Sequence, residues 1–237
     1  MRKHSVRRRP QVNAQPRITG GEVVPPGSVL HLFNVLVLRS FCVGSLLSPN
    51  YVLTAAHCNA KPATSVVHMD PKDKRRNMVF NVSSVLIHPK YKPKFIKDLP
   101  IPKQFLEMAG KLDKIFSDFT YSFYDFALLK LAQPFKLFKF FPCLPNKNDQ
   151  FVGKVATASG WGVTEVSSVS NRSLSNVLKS APFTVISDEE CGKIVGKEYF
   201  FGLDINKFID IKTELGFCAD GRKMNSSICW GDSGGKF

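Results

Sequence analysis

From residue 18 onward, short apolar runs alternate with Gly, Pro and Asn, the punctuation of strands joined by tight turns. Residues 33–38, 41–47, 51–53, 79–87 and 126–131 predict strands of a first half. Residues 154–162 and 177–186 open a second set, and the Phe-, Lys- and Pro-rich stretch 133–147 between them reads as a connector. No repeat recurs at a fixed period. The pattern predicts an all-β protein.

Two segments depart from this rhythm. Residues 1–17 are basic and polar, contain Pro10 and Pro16, and read as a leader. Residues 89–124 are irregular, with Lys90, Lys92, Lys94, Lys97 and Lys103 near their start. Within them, 104–116 has helical spacing, which places Phe105, Leu106, Met108, Leu112, Ile115 and Phe116 largely on one face. A connection this long is either functional or disordered.

At 237 residues and 43% hydrophobic content, the chain can bury a sizeable core, which excludes global disorder. Its best apolar run, 29–38, is interrupted by His31 and Asn34 and falls short of the roughly 18 residues that a spanning helix needs. It reads as a buried strand, so no transmembrane segment is expected. The charged start lacks the apolar stretch of a signal peptide. Six cysteines and the Asn-x-Ser sequons at Asn81, Asn171 and Asn225 point instead to an oxidising, secretory setting, with a leader absent from this chain.

The net charge is +14, and six of those charges lie in residues 1–17, which leaves +8 for the rest. That surplus is either a solvated basic surface or an attraction toward an anionic glycan, a membrane or an acidic partner. No nucleic-acid recognition motif accompanies it, which argues against nucleic acid.

Three motifs carry chemistry. Thr54-Ala55-Ala56-His57-Cys58 offers a base. Tyr124-Asp125-Phe126-Ala127-Leu128-Leu129-Lys130-Leu131 offers a carboxylate ahead of an apolar strand. Gly231-Asp232-Ser233-Gly234-Gly235 offers a nucleophile. A serine hydroxyl needs a neighbouring base to take its proton, and imidazole titrates near neutrality. The order His, Asp, Ser is one of the recurring orders of such a triad. His31, His68 and His88 lie in no motif and read as structural.

With Arg17-Ile18-Thr19-Gly20-Gly21, Ser159-Gly160-Trp161-Gly162 and Cys229-Trp230 ahead of the serine motif, residues 17–237 resemble the chymotrypsin-like serine peptidases. The resemblance implies two six-stranded antiparallel Greek-key β-barrels, over 18–132 and 148–237, the second incomplete in this chain. It implies catalysis by His57, Asp125 and Ser233, with the backbone N–H groups of Gly231 and Ser233 as oxyanion hole. It implies a zymogen, cleaved after Arg17 by a trypsin-like protease, whose new Ile18 ammonium pairs with Asp232. Ser227 stands where the family has the floor of the primary pocket; a neutral residue there argues against Arg or Lys specificity. Thr19 and Lys236 replace the family's commoner valine and proline.

The same resemblance pairs Cys42 with Cys58 and Cys191 with Cys218. It leaves Cys143 and Cys229 without partners, their usual ones lying beyond the two ends, so a fragment is expected. Ala156 stands where many relatives carry a further cysteine. The resemblance further implies peptide or protein substrates, serpin-type inhibitors as partners, and no need of a metal or cofactor. The alternative is a non-catalytic homologue, or a truncated product, acting as a binding or regulatory protein.

Overall fold

The computed structural model describes residues 21–25, 32–37, 40–62, 65–69, 78–95, 120–136, 141–146, 149–166, 172–175, 177–199, 217–228 and 231–235. The leader, with Arg17 and Ile18, the helix-like stretch 104–116, Asn171 and Cys229 lie outside them.

The first half is a six-stranded closed barrel. Strands β2 (Leu32–Val37), β3 (Ser40–Ser48), β4 (Tyr51–Thr54), β5 (Ser65–Met69), β6 (Met78–Ile87) and β9 (Ala127–Leu131) pair in the ring order β2-β3-β4-β9-β6-β5. Alternation decides which side chains enter. In β9, Ala127, Leu129 and Leu131 point inward while Lys130 points out; in β4, Val52 and Thr54 are buried. Leu46, Val52 and Leu129 are fully buried and meet Val82, Leu131 and Phe135 in one core. Phe135 comes from the sequence-defined connector and is fixed by its N–H to the Pro49 carbonyl at 2.7 Å.

The pairing of β4 with β9 positions the candidate site. Its register sets Thr54 opposite Ala127. The chain leaving β4 toward His57 and the chain entering β9 from Asp125 therefore lie at the same end of the barrel.

In the second half, β13 (Lys179–Ile186) is the central strand. It pairs with β10 (Val155–Gly160) along one edge, and with β1 (Glu22–Val23) and β14 (Cys218–Asp220) along the other. Among the described residues these four strands form an open sheet. Pro182, which has no N–H to donate, falls in the stretch that neither β1 nor β14 covers. Ala181, Phe183 and Ala158 make a small core between the strands. The remaining strands among the described residues form two ribbons: β7 (Lys92–Phe95) with β8 (Thr120–Phe123), and β11 (Val163–Val166) with β12 (Arg172–Leu174).

Among the described residues one α-helix, α1 (Asp188–Tyr199), interrupts the β pattern. Ser187 Oγ accepts the Glu190 N–H at 3.2 Å, and three acidic residues fill the first turn, where the helix dipole favours them. The helix carries Cys191 to β14, where it bonds Cys218; Cys42 likewise bonds Cys58. The Cys42–Cys58 bridge spans 16 residues inside the first core. Replacing both cysteines by alanine is expected to cost about 3 kcal/mol, read as a lower midpoint in urea unfolding. Among the described residues no helix is long and apolar enough to cross a membrane.

Candidate active site

His57 sits in a single 3₁₀ turn, Ala56–Cys58, which follows directly from β4. Asn59 ends that turn in the left-handed conformation, and the buried Cys58 anchors it through the disulfide. The ring is left facing outward, its side chain 44% exposed.

Asp125 meets it from the β9 side. One carboxylate oxygen, Oδ1, accepts the His57 backbone N–H at 2.8 Å, and Oδ2 lies 2.6 Å from the ring Nδ1. An ionised carboxylate only accepts, so Nδ1 carries the proton and the Nε2 lone pair faces away from Asp125. The side-chain hydrogen bond to Asp125 raises the His57 pKa above its ordinary value; burial opposes this and loses, while the carboxylate's charge adds to it. Burial pushes the Asp125 pKa up, but hydrogen bonds from the His57 ring and backbone, the imidazole charge and the Ala56 N–H together hold it below the ordinary carboxylate value.

A cluster absent from the sequence reading holds Asp125 in place. Tyr124 takes φ +56°, unusual for an aromatic residue, and its ring stacks on His88 at 4.7 Å and 6°. Phe126 packs on the same imidazole at 4.7 Å, and its carbonyl accepts the His88 N–H at 3.2 Å. Lys90 lies 5.4 Å above the Tyr124 ring, and its N–H donates to His88 Nδ1 at 3.2 Å. Both neighbours of Asp125 are thus pinned to one histidine. His88 carries no motif of its own; the available signal was the aromatic residue on each side of Asp125.

Ser233 reaches the first barrel through its backbone, its carbonyl accepting the Val43 N–H at 2.7 Å. Gly234, at φ +79°, is pressed so closely against Val43, Thr54 and Ala55 that a Cβ there would overlap all three. This seam places the serine loop on the strands that lead to His57. Among the described residues no hydrogen bond joins Ser233 Oγ to the His57 ring; such contacts are often long before substrate binds.

Gly231 turns at φ +94°, where a Cβ would lie 2.8 Å from Leu174. Asp232 Oδ1 accepts the Gly162 N–H at 2.7 Å, and its carboxylate fills the space left by the missing Cβ atoms of Gly160 and Gly162. The two glycines of the Ser159-Gly160-Trp161-Gly162 motif are therefore a seat for Asp232. Trp161 and Leu178 pack with Val43 and Val24, tying the two halves together behind that seat.

Of the other sequence-designated residues, Ser227 is exposed, with its hydroxyl donating to the Ile228 carbonyl at 3.2 Å. Cys143 is an exposed free thiol. Cys42, His57 and Cys58 place three potential metal ligands close together, but both sulfurs are committed to the disulfide.

The trypsin family profile matches residues 18–237. Granzyme A of Bos taurus is 28% identical over 221 residues, which span 92% of this chain and 71% of that protein. Submandibular glandular kallikrein-9 of Rattus norvegicus is 28% identical over 238 residues, 95% of this chain and 77% of that protein. The crystal structure of scabies mite inactivated protease paralogue S-D1 shares the fold, with a TM-score of 0.64 at 22% identity, over 92% of this chain and 80% of that one. The chain belongs to the trypsin family, the chymotrypsin-like serine peptidases.

Proposed function

We propose that this protein is a secreted serine endopeptidase, with residues 18–237 as its peptidase domain, acting through His57, Asp125 and Ser233. The observation that carries the reading is the doubly bonded Asp125–His57 pair, 2.8 and 2.6 Å, just beyond the end of β4, the strand against which, together with β3, the Ser233 loop is seated. His57 Nε2 takes the Ser233 proton as Oγ attacks the scissile carbonyl carbon. The backbone N–H groups of Gly231 and Ser233 receive the oxyanion. The C–N bond then breaks as His57 returns the proton to the leaving amine. Water, deprotonated by the same imidazole, hydrolyses the ester and frees Ser233.

The zymogen reading rests on the Asp232 seat and on β1. Cleavage after Arg17 by a trypsin-like protease frees an Ile18 ammonium only four residues before Glu22, which is paired with Ser180 in the second sheet. An ammonium arriving at the Asp232 carboxylate is a two-state device, since a buried ion pair is costly to break once made. The neutral Ser227 assigns the pocket to uncharged side chains. Serpin-type inhibitors, and an anionic glycan or acidic ligand on the basic surface, are the further partners of this reading.

The test is hydrolysis of a peptide library by the protein before and after cleavage at Arg17. Turnover that appears on cleavage, with uncharged residues preceding the scissile bond, supports the reading; none in either form refutes it. His88 serves in it as a positioning residue, acting through Asp125. His88→Ala is expected to lower kcat about tenfold with KM unchanged, and His88→Phe, which keeps the stack, to restore most of the rate. A KM effect instead, or no rescue, assigns His88 a merely structural role.

A further inference from the structure

Two sequons lie within the described residues, and both asparagines are exposed. Asn81 sits in mid-strand on β6, opposite Val66 of β5, and its carbonyl accepts the Ala132 N–H at 2.8 Å. Asn225 is different. It closes the 3₁₀ turn Arg222–Met224 at φ 51° and ψ 39°, a left-handed turn position that asparagine tolerates well.

The backbone around Asn225 is closed on itself. Met224 and Ser226 donate their N–H groups to the Gly221 carbonyl at 3.0 and 2.8 Å, and Asn225 donates to Arg222 at 3.2 Å. Ser226 is buried, with its hydroxyl on the Met224 carbonyl. Arg222 is clipped to Asp220 by two side-chain bonds of 3.0 Å, and β14 is tied to α1 by the Cys191–Cys218 bridge. The Asn225 side chain thus stands outward from a fixed turn, where a bulky polar substituent displaces no packed group.

We propose that Asn225 is an N-glycan acceptor, and that its sequon and the primary pocket share one residue. The sequon is Asn225-Ser226-Ser227, so the hydroxyl that licenses modification belongs to Ser227. In the transfer, Asn225 Nδ2 bonds the anomeric carbon of a lipid-linked oligosaccharide. The lipid diphosphate leaves, and the amide gives up one proton to the transferase base. The pocket half of the proposal rests on the reading of Ser227 as pocket floor; the glycan half does not. The consequence is a constraint on specificity: only serine or threonine at 227 keeps the glycan. A change to aspartate, which would suit basic side chains, removes it.

The experiment is peptide mapping of the protein expressed in eukaryotic secretory cells, from both the medium and the cells, so that a retained variant is still read. Digestion with peptide N-glycosidase in heavy-oxygen water converts an occupied asparagine to labelled aspartate. Wild type and Ser227→Thr are expected to be labelled at Asn225, Ser227→Ala and Asn225→Gln to be unlabelled there. An unlabelled Asn225 in the wild type, or a label that survives Ser227→Ala, overturns the glycan. Hydrolysis is scored separately. Ser227→Thr shifts the preferred residue before the scissile bond if 227 is the floor, whereas an unchanged preference with the glycan intact overturns only the pocket assignment.

Discussion

Ser233→Ala is expected to lower peptide hydrolysis about 10⁶-fold while leaving the unfolding midpoint unchanged. The two readouts separate because Ser233 serves the fold and the chemistry with different atoms. Its carbonyl holds the seam to Val43, and alanine keeps that bond. The hydroxyl is the nucleophile, and alanine removes it. Steady-state kinetics on an unblocked peptide, set beside denaturant unfolding, decides the matter. Residual turnover near the wild-type rate excludes Ser233 as nucleophile, whatever the fold does.

Asp125→Asn is expected to cost about 10⁴-fold at neutral pH, the size known for this change in serine-protease triads. The physical cause is tautomeric. An asparagine amide can point its NH₂ at His57 Nδ1, which then accepts and leaves the proton on Nε2, where the base is needed. The pH profile gives a second signature. The base must be neutral, so activity is present above the folded His57 pKa and lost as pH falls through it. Because Asp125 raises that pKa above the ordinary 6.5, the acid limb lies above 6.5 in the wild type and moves down in the variant.

Stability follows the same pair. The raised His57 pKa contributes stability below 6.5 that is lost as pH rises through the folded value. The lowered Asp125 pKa contributes stability above 3.8 that is lost as pH falls through the folded value. The contribution is therefore fullest between 3.8 and 6.5. The wild type's advantage over Asp125→Asn in unfolding midpoint should be constant across that window and shrink below 3.8 and above 6.5; an advantage that does not change with pH on either side would refute the linkage.

Much of the β framework was legible because one-sided burial writes itself as alternation. Runs at 51–53 and 126–131 became β4 and β9, and their register joins the His57 and Asp125 motifs. The ribbon β7–β8 was not legible: Lys92–Phe95 is lysine- and proline-rich, and its pairing depends on a partner across a long connection. Helix α1 was missed because its hydrophobic residues are few, although Ser187 followed by Glu190 is a helix-start signal. In the site, motifs marked His57 and Asp125. The stack of Tyr124 on His88 arises only when 36 residues of chain are folded back, and no local pattern announces it. The glycines at 160 and 162 were recognisable as a motif, but their purpose as a seat for Asp232 needed the close approach of two distant loops.

The most direct measurement is fluorophosphonate labelling of the natural protein after cleavage at Arg17, with the adduct mapped by peptide mass spectrometry. The account predicts one adduct, on Ser233, that is absent before cleavage and is lost in His57→Ala because the hydroxyl then has no base. A protein that is folded and cleaved yet takes up no label at Ser233, or takes it up at another residue, contradicts the account.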